Sequence, residues 1–157
     1  MHREGNASLL IMRKDGIMKN SIITAVGIAG SFIAQLLGGW DMALQTLIFF
    51  MTMDYLTGLI VAGVFKKSTK TENGALESKA GWKGLCRKGV TLIIVMVAAH
   101  IDKIAGTNGF MRNAVVIGYV ANEALSIFEN AGLMGLPINK KLRDAIAVLK
   151  GKAEEDS

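Results

Sequence analysis

Residues 20–40, NSIITAVGIAGSFIAQLLGGW, and residues 42–65, MALQTLIFFMTMDYLTGLIVAGVF, decide the fold class. The first run holds 21 residues without a charge, and the second holds 24 with only Asp54. A helix rises about 1.5 Å per residue, so either run covers the roughly 30 Å hydrocarbon core of a bilayer. Two further runs read less sharply. Residues 89–101 are 13 uncharged positions, and they reach spanning length, about 86–105, if Arg87, Lys88 and Lys103 snorkel from the ends. Residues 113–136 contain Glu123 and Glu129, and Gly132, Gly135 and Pro137 mark their end. The pattern predicts an all-α membrane protein with one transmembrane helical domain over residues 20–142. Four spans are expected, with three spans plus one amphipathic helix as the alternative. Flanking that domain are a basic cytoplasmic segment, 1–19, and a charged tail, 143–157. A basic cytoplasmic loop, 66–85, lies inside it.

The charges agree with this count. With four spans and both termini cytoplasmic, 16 of the 18 Lys and Arg residues face inward, and Lys103 and Arg112 face outward. The first run exceeds the roughly 7–15-residue core of a signal peptide. Basic segments lie between apolar runs without interleaved aromatics, so they serve topology and headgroup contact, and no nucleic-acid partner is expected. Apolar residues make up 51% of the 157, which excludes disorder for most of the chain. Cys86 stands alone, and His2 and His100 are the only imidazoles. No disulfide, Cys-based zinc site or His-rich metal centre follows. Gly84 to Gly89 has the glycine spacing of a phosphate loop, but Val90 stands where Lys is needed. Without a recognisable nucleophile–base pair, the expectation is a non-enzyme with no catalytic residue, cofactor or metal.

Several residues invite a function beside a plain structural role. Asp54 lies midway along the second run, where a carboxylate costs ~2.5–3.5 kcal/mol on insertion scales and therefore faces the bundle, a partner or water. Thr57 and Gly58 share its helix face. In the last run Tyr119, Asn122, Glu123, Ser126, Glu129 and Asn130 fall within an arc of about 120°. Such a stripe is satisfied inside one bundle, lines a wet pore in an oligomer, or lies at the membrane interface. Gly30, Ala34 and Gly38 repeat at four-residue spacing, which favours close helix contact in lipid. Trp40 and Trp82 read as interfacial anchors, and His100, beside Asp102, as a hydrogen-bonded interfacial histidine rather than a proton relay.

The order of motifs carries a resemblance. Asp54-Tyr55-Leu56-Thr57-Gly58, then Ser78, Gly81, Gly84 and Arg87-Lys88, then residues 122–130 (NEALSIFEN) and Gly135-Leu136-Pro137-Ile138 resemble the toxin-secretion/phage-lysis holin family. The likeness covers roughly residues 45–150, with Asn139 standing where a second proline is expected. It implies a phage or prophage holin of the bacterial inner membrane, a multi-pass protein whose partners are itself, as a homo-oligomer, and the lipid bilayer. Such proteins form lesions that collapse the membrane potential and release a cell-wall hydrolase, linked in function but not by direct contact; some relatives release toxins. The alternative is a non-lytic ion channel or transporter subunit using Asp54 and Glu123.

Overall fold

The computed structural model describes residues 2–141 together with 144 and 148. These are all-helical apart from turns and loops, and they form two bodies that divide after Leu36. The first body is a single helix, α1 (His2–Leu36). Its apolar part, Gly16–Leu36, is long and apolar enough to cross a membrane, at about 31 Å of helical rise. Gly30 and Ala34 lie on it, one turn apart.

The second body holds α2 (Met42–Ile60), prolonged by a π-helical turn (Val61–Phe65), then α3 (Ser78–Ala105) and α4 (Phe110–Leu133). Asp41 caps α2: its carboxylate accepts the Leu44 N–H at 2.9 Å and its carbonyl accepts the Gln45 N–H at 3.0 Å. At the far end Lys66 turns left-handed, at φ 52°, and stops the helix. Gly74 (φ 72°) then brings the 66–77 loop so close to the Lys66 carbonyl that a Cβ would stand 2.3 Å from it. α3 ends at Gly106, φ 69°, whose N–H donates to the Asp102 carbonyl at 2.8 Å. α4 closes similarly, with Gly135 at φ 91° and Pro137 beyond it.

Two contacts fix the topology. Near its start α4 reaches the cap of α2 through Arg112 and Asp41, and near its end it reaches Asp54 and Thr57 through Asn130. Thus α2 and α4 run parallel side by side, and α3 returns between them in sequence. Leu37, Leu44, Leu47, Met51, Val95 and Val116 form the main core, and a smaller cluster forms around Ala121 and Ala124. Outside it, Phe49, Ile93, Val97, Ile101 and Ile104 are exposed, the last at 88%. An apolar exterior of this kind matches lipid rather than water. By length and hydropathy α2 with its π turn and α3 are candidate spans, as is the apolar part of α1, while α4 falls short.

The elements differ from the expected runs at their edges. α3 begins at Ser78 rather than 86, because Lys79, Lys83 and Arg87 interrupt hydropathy without interrupting a helix. The first helix ends at Leu36, not Trp40, which takes Gly38 out of the proposed small-residue stripe. Gly38 stands at φ +90°, and a Cβ there would meet Arg112 Cδ and Nε at 2.6 and 2.7 Å. Its lack of a side chain serves that arginine.

Candidate functional site

Three ionisable side chains, one from each helix of the second body, meet where the bundle is buried. Lys88 of α3 donates to Asp54 Oδ2 of α2 at 2.8 Å and to Glu123 Oε2 of α4 at 2.5 Å. The side chains are only 13%, 9% and 12% exposed, respectively. Asn130 completes the group from about two turns further along α4, donating to Asp54 Oδ1 at 3.2 Å and Thr57 Oγ1 at 2.9 Å. The Thr57 hydroxyl itself donates back to the Met53 carbonyl at 2.8 Å. Gly58 lies beside this group, and a Cβ there would make ordinary contact, 3.8 Å, with Asn130 Nδ2. Both oxygens of Asp54 are therefore engaged, and among the described residues no buried side-chain polar atom lacks a partner. Taking such charges out of water is expensive, and a shared cation with full hydrogen bonding is what makes the placement tolerable.

The polar stripe of α4 splits. Glu123 and Asn130 turn into the bundle, Ser126 is half-buried, and Asn122 and Glu129 are exposed. Asn122 and Ser126 line a cavity of about 420 Å³ that extends from the triad toward the 66–77 loop. Tyr55 forms part of its wall, and positions 81 and 84 fit against it: a Cβ on either glycine would lie 3.5 to 3.8 Å from the phenol. Glu129 stands outside the cavity.

A second polar cluster lies at the other end, where the α1–α2 and α3–α4 connections meet. Arg112, 4% exposed, donates from Nη1 and Nη2 to the two carboxylate oxygens of Asp41 at 2.7 and 3.0 Å, and from Nε to the Leu37 carbonyl at 2.6 Å. Asp102 accepts the backbone N–H groups of Met111 and Arg112 at 3.0 and 2.8 Å, and the Thr107 hydroxyl. The Arg112 fork holds the Asp41 carboxyl below the usual carboxylate range, against partial burial and with help from the Leu44 N–H. His100 is hydrogen-bonded within its own helix, its Nδ1 lying 2.8 Å from the Met96 carbonyl.

Lys88 and Arg112 are the members of the two buried polar clusters that sequence reasoning missed, one read as a snorkelling end and the other as an outward topology charge. The available signal was the need of two intramembrane carboxylates for a cation. Among the described residues no group of three or more His, Cys, Asp or Glu side chains is placed to hold a metal. The triad joins three helices through one shared cation.

Comparison with known proteins points the same way. A probable holin of Bacillus phage phi105 is 36% identical over 108 residues, covering 66% of this chain and 74% of the phage protein. An uncharacterised protein of Listeria monocytogenes is 36% identical over 127 residues, or 81% of this chain and 85% of its own length. One from Clostridium perfringens is 35% identical over 124 residues, 78% of this chain and 88% of the relative. No solved structure matches. The sequence profile described as the bacteriophage holin family matches residues 31–151, which include all three helices of the second body, the triad and the arginine cluster. On that match and these relatives, the chain belongs to the bacteriophage holin family.

Proposed function

We propose that the protein is a phage or prophage holin: it accumulates in the bacterial inner membrane, assembles with copies of itself into lesions, collapses the membrane potential and frees a cell-wall hydrolase. The observation that carries the reading is membership of the holin family over residues 31–151. The bundle supplies compatible physics. Its exterior suits lipid, and exposed Asn122 and Glu129 are polar groups that a monomer leaves facing outward. Assembly brings such groups together around water. The partners are the chain itself and the bilayer; the hydrolase is a partner in effect, without contact, and export of a toxin is another use of the same lesion.

The topology proposed is four spans with both termini cytoplasmic. α4 is less apolar than the others, but it lies parallel to α2 and is tied to it near both ends. The tied stretch, from Arg112 to Asn130, rises about 27 Å, close to the full hydrocarbon thickness. If α2 crosses the membrane, α4 crosses with it, its carboxylate shielded by Lys88. A conducting role for Asp54 and Glu123 in the monomer has less support, because both are spent on the same lysine. The test is inducible expression with and without a muralytic enzyme. The proposal expects rapid loss of membrane potential in both cases and lysis only with the enzyme. Graded, ion-selective currents without lysis would support the channel instead.

A further inference from the structure

The cavity beside the triad has two chemically distinct ends. Its floor is Asp54, Lys88 and Glu123, two carboxylates against one ammonium, which disfavours an anion seated deep inside. Its exposed lining toward the 66–77 loop includes Lys70, Lys83 and Arg87, none of them in an ion pair among the described residues. Glu77 is the one carboxylate at that end, so the mouth keeps a net positive charge. Ser68, Thr69 and Thr71 add hydroxyls there. The wall between mouth and floor is apolar, with Leu59, Val61 and Leu133. Outside the cavity lining, Trp82 and Leu85 of α3 are exposed, at 67% and 49%, and suit the boundary between headgroups and acyl chains.

We propose that this cavity is a binding site for an anionic phospholipid of the cytoplasmic leaflet, with the phosphate held by Lys70, Lys83 and Arg87 and the glycerol and upper acyl chain against the apolar wall. A basic pocket between membrane helices on the cytoplasmic side is suited to such headgroups. The same cations would hold a soluble phosphate, but the apolar wall between mouth and floor favours the lipid as its source. The lipid bridges the 66–77 loop, α3 and α4 directly above the triad, so its occupancy sets how easily these helices part. The inference rests on the membrane reading given above, though not on lysis.

Native mass spectrometry of the full-length protein in detergent tests it, with added phosphatidylglycerol, phosphatidylcholine or inorganic phosphate. Wild-type protein is expected to retain phosphatidylglycerol over phosphatidylcholine, and millimolar inorganic phosphate should not displace it. Lys83→Gln with Arg87→Gln should lower retention about tenfold or more, given the strength of each surface cation toward anionic lipid. Lys67→Gln with Lys79→Gln removes the same charge outside the cavity and should leave retention unchanged, and Lys83→Arg should keep it. Equal losses in the two double variants, or no loss in either, would overturn the site. Displacement by inorganic phosphate would overturn the lipid assignment. Binding is read on purified protein, so selective retention by a non-lytic protein refutes the proposed function alone, and lysis without selective retention refutes this inference alone.

Discussion

Lys88 holds the position on which the buried polar arrangement depends, because it is the shared cation of two carboxylates from two other helices. Lys88→Met should destabilise the bundle by about 3–5 kcal/mol, the usual consequence of leaving a buried charge unpaired. Adding Asp54→Asn and Glu123→Gln to that change should recover much of the loss. Urea unfolding of the full-length protein in detergent reads both steps, and a single variant as stable as wild type would contradict the geometry. Asp41 gives a pH dependence of known sign. Arg112 depresses its folded-state pKa below the ordinary value of 3.8, so the stabilisation is complete well above that value and is lost as pH falls through the folded pKa. Asp41 is half exposed, so the effect is modest. Thermal unfolding between neutral and acid pH should show wild type ahead of Asp41→Asn at neutrality and the gap closing as pH falls below the ordinary value of 3.8. A gap that is constant or widens on acidification would remove the pair from the account. Neither Lys88 nor Arg112 was legible as a partner in the sequence. Pairing at a separation of 34 or 71 residues depends on the rotational setting of each helix, which local pattern does not specify.

At the scale of elements, hydropathy was a good guide wherever a helix is apolar all round and a poor one where charge and helix coexist. The runs at 20–40 and 42–65 announced the apolar part of α1 and all of α2 by length alone, while the start of α1 at His2, within the basic segment 1–19, was not announced. The start of α3 at Ser78 was hidden by its lysines, and the end of α1 by two glycines that look like helix-packing residues. Gly38 shows the distinction: its conformation and its closeness to Arg112 leave no room for a Cβ, whereas Gly30 has nothing within 4 Å. Gly38→Ala should therefore destabilise by about 1–3 kcal/mol through backbone strain and displacement of the arginine, and Gly30→Ala should leave folding of the monomer unaffected. The same unfolding measurement separates them; equal effects would mean that Gly38 acts as an ordinary turn residue. The proposed crossing of α4 has its own check. With Cys86→Ser as background, Asn108→Cys should react with a membrane-impermeant maleimide from the periplasm and Asn139→Cys should not. Periplasmic labelling of both would place α4 on the membrane surface.

For the whole molecule, the buried polar groups of the bundle are satisfied inside, while Asn122 and Glu129 are left exposed. Glu123 belongs to the inside, so Glu123→Leu is expected to reduce the amount of folded protein in the membrane, a different outcome from a pure lesion-lining role. Glu129 is exposed and unpaired among the described residues, so Glu129→Leu should keep membrane abundance and delay or abolish lysis. The stripe itself was legible from helical spacing, but its division into internal and external halves required the neighbouring helices. The central claim is that copies of this bundle assemble collectively into lesions. Membrane potential followed in single cells with a fluorescent dye, during expression of the full chain without any hydrolase, tests it most directly. Collective assembly gives a silent period followed by abrupt, complete depolarisation in each cell; a gradual decline in proportion to protein accumulated would refute it.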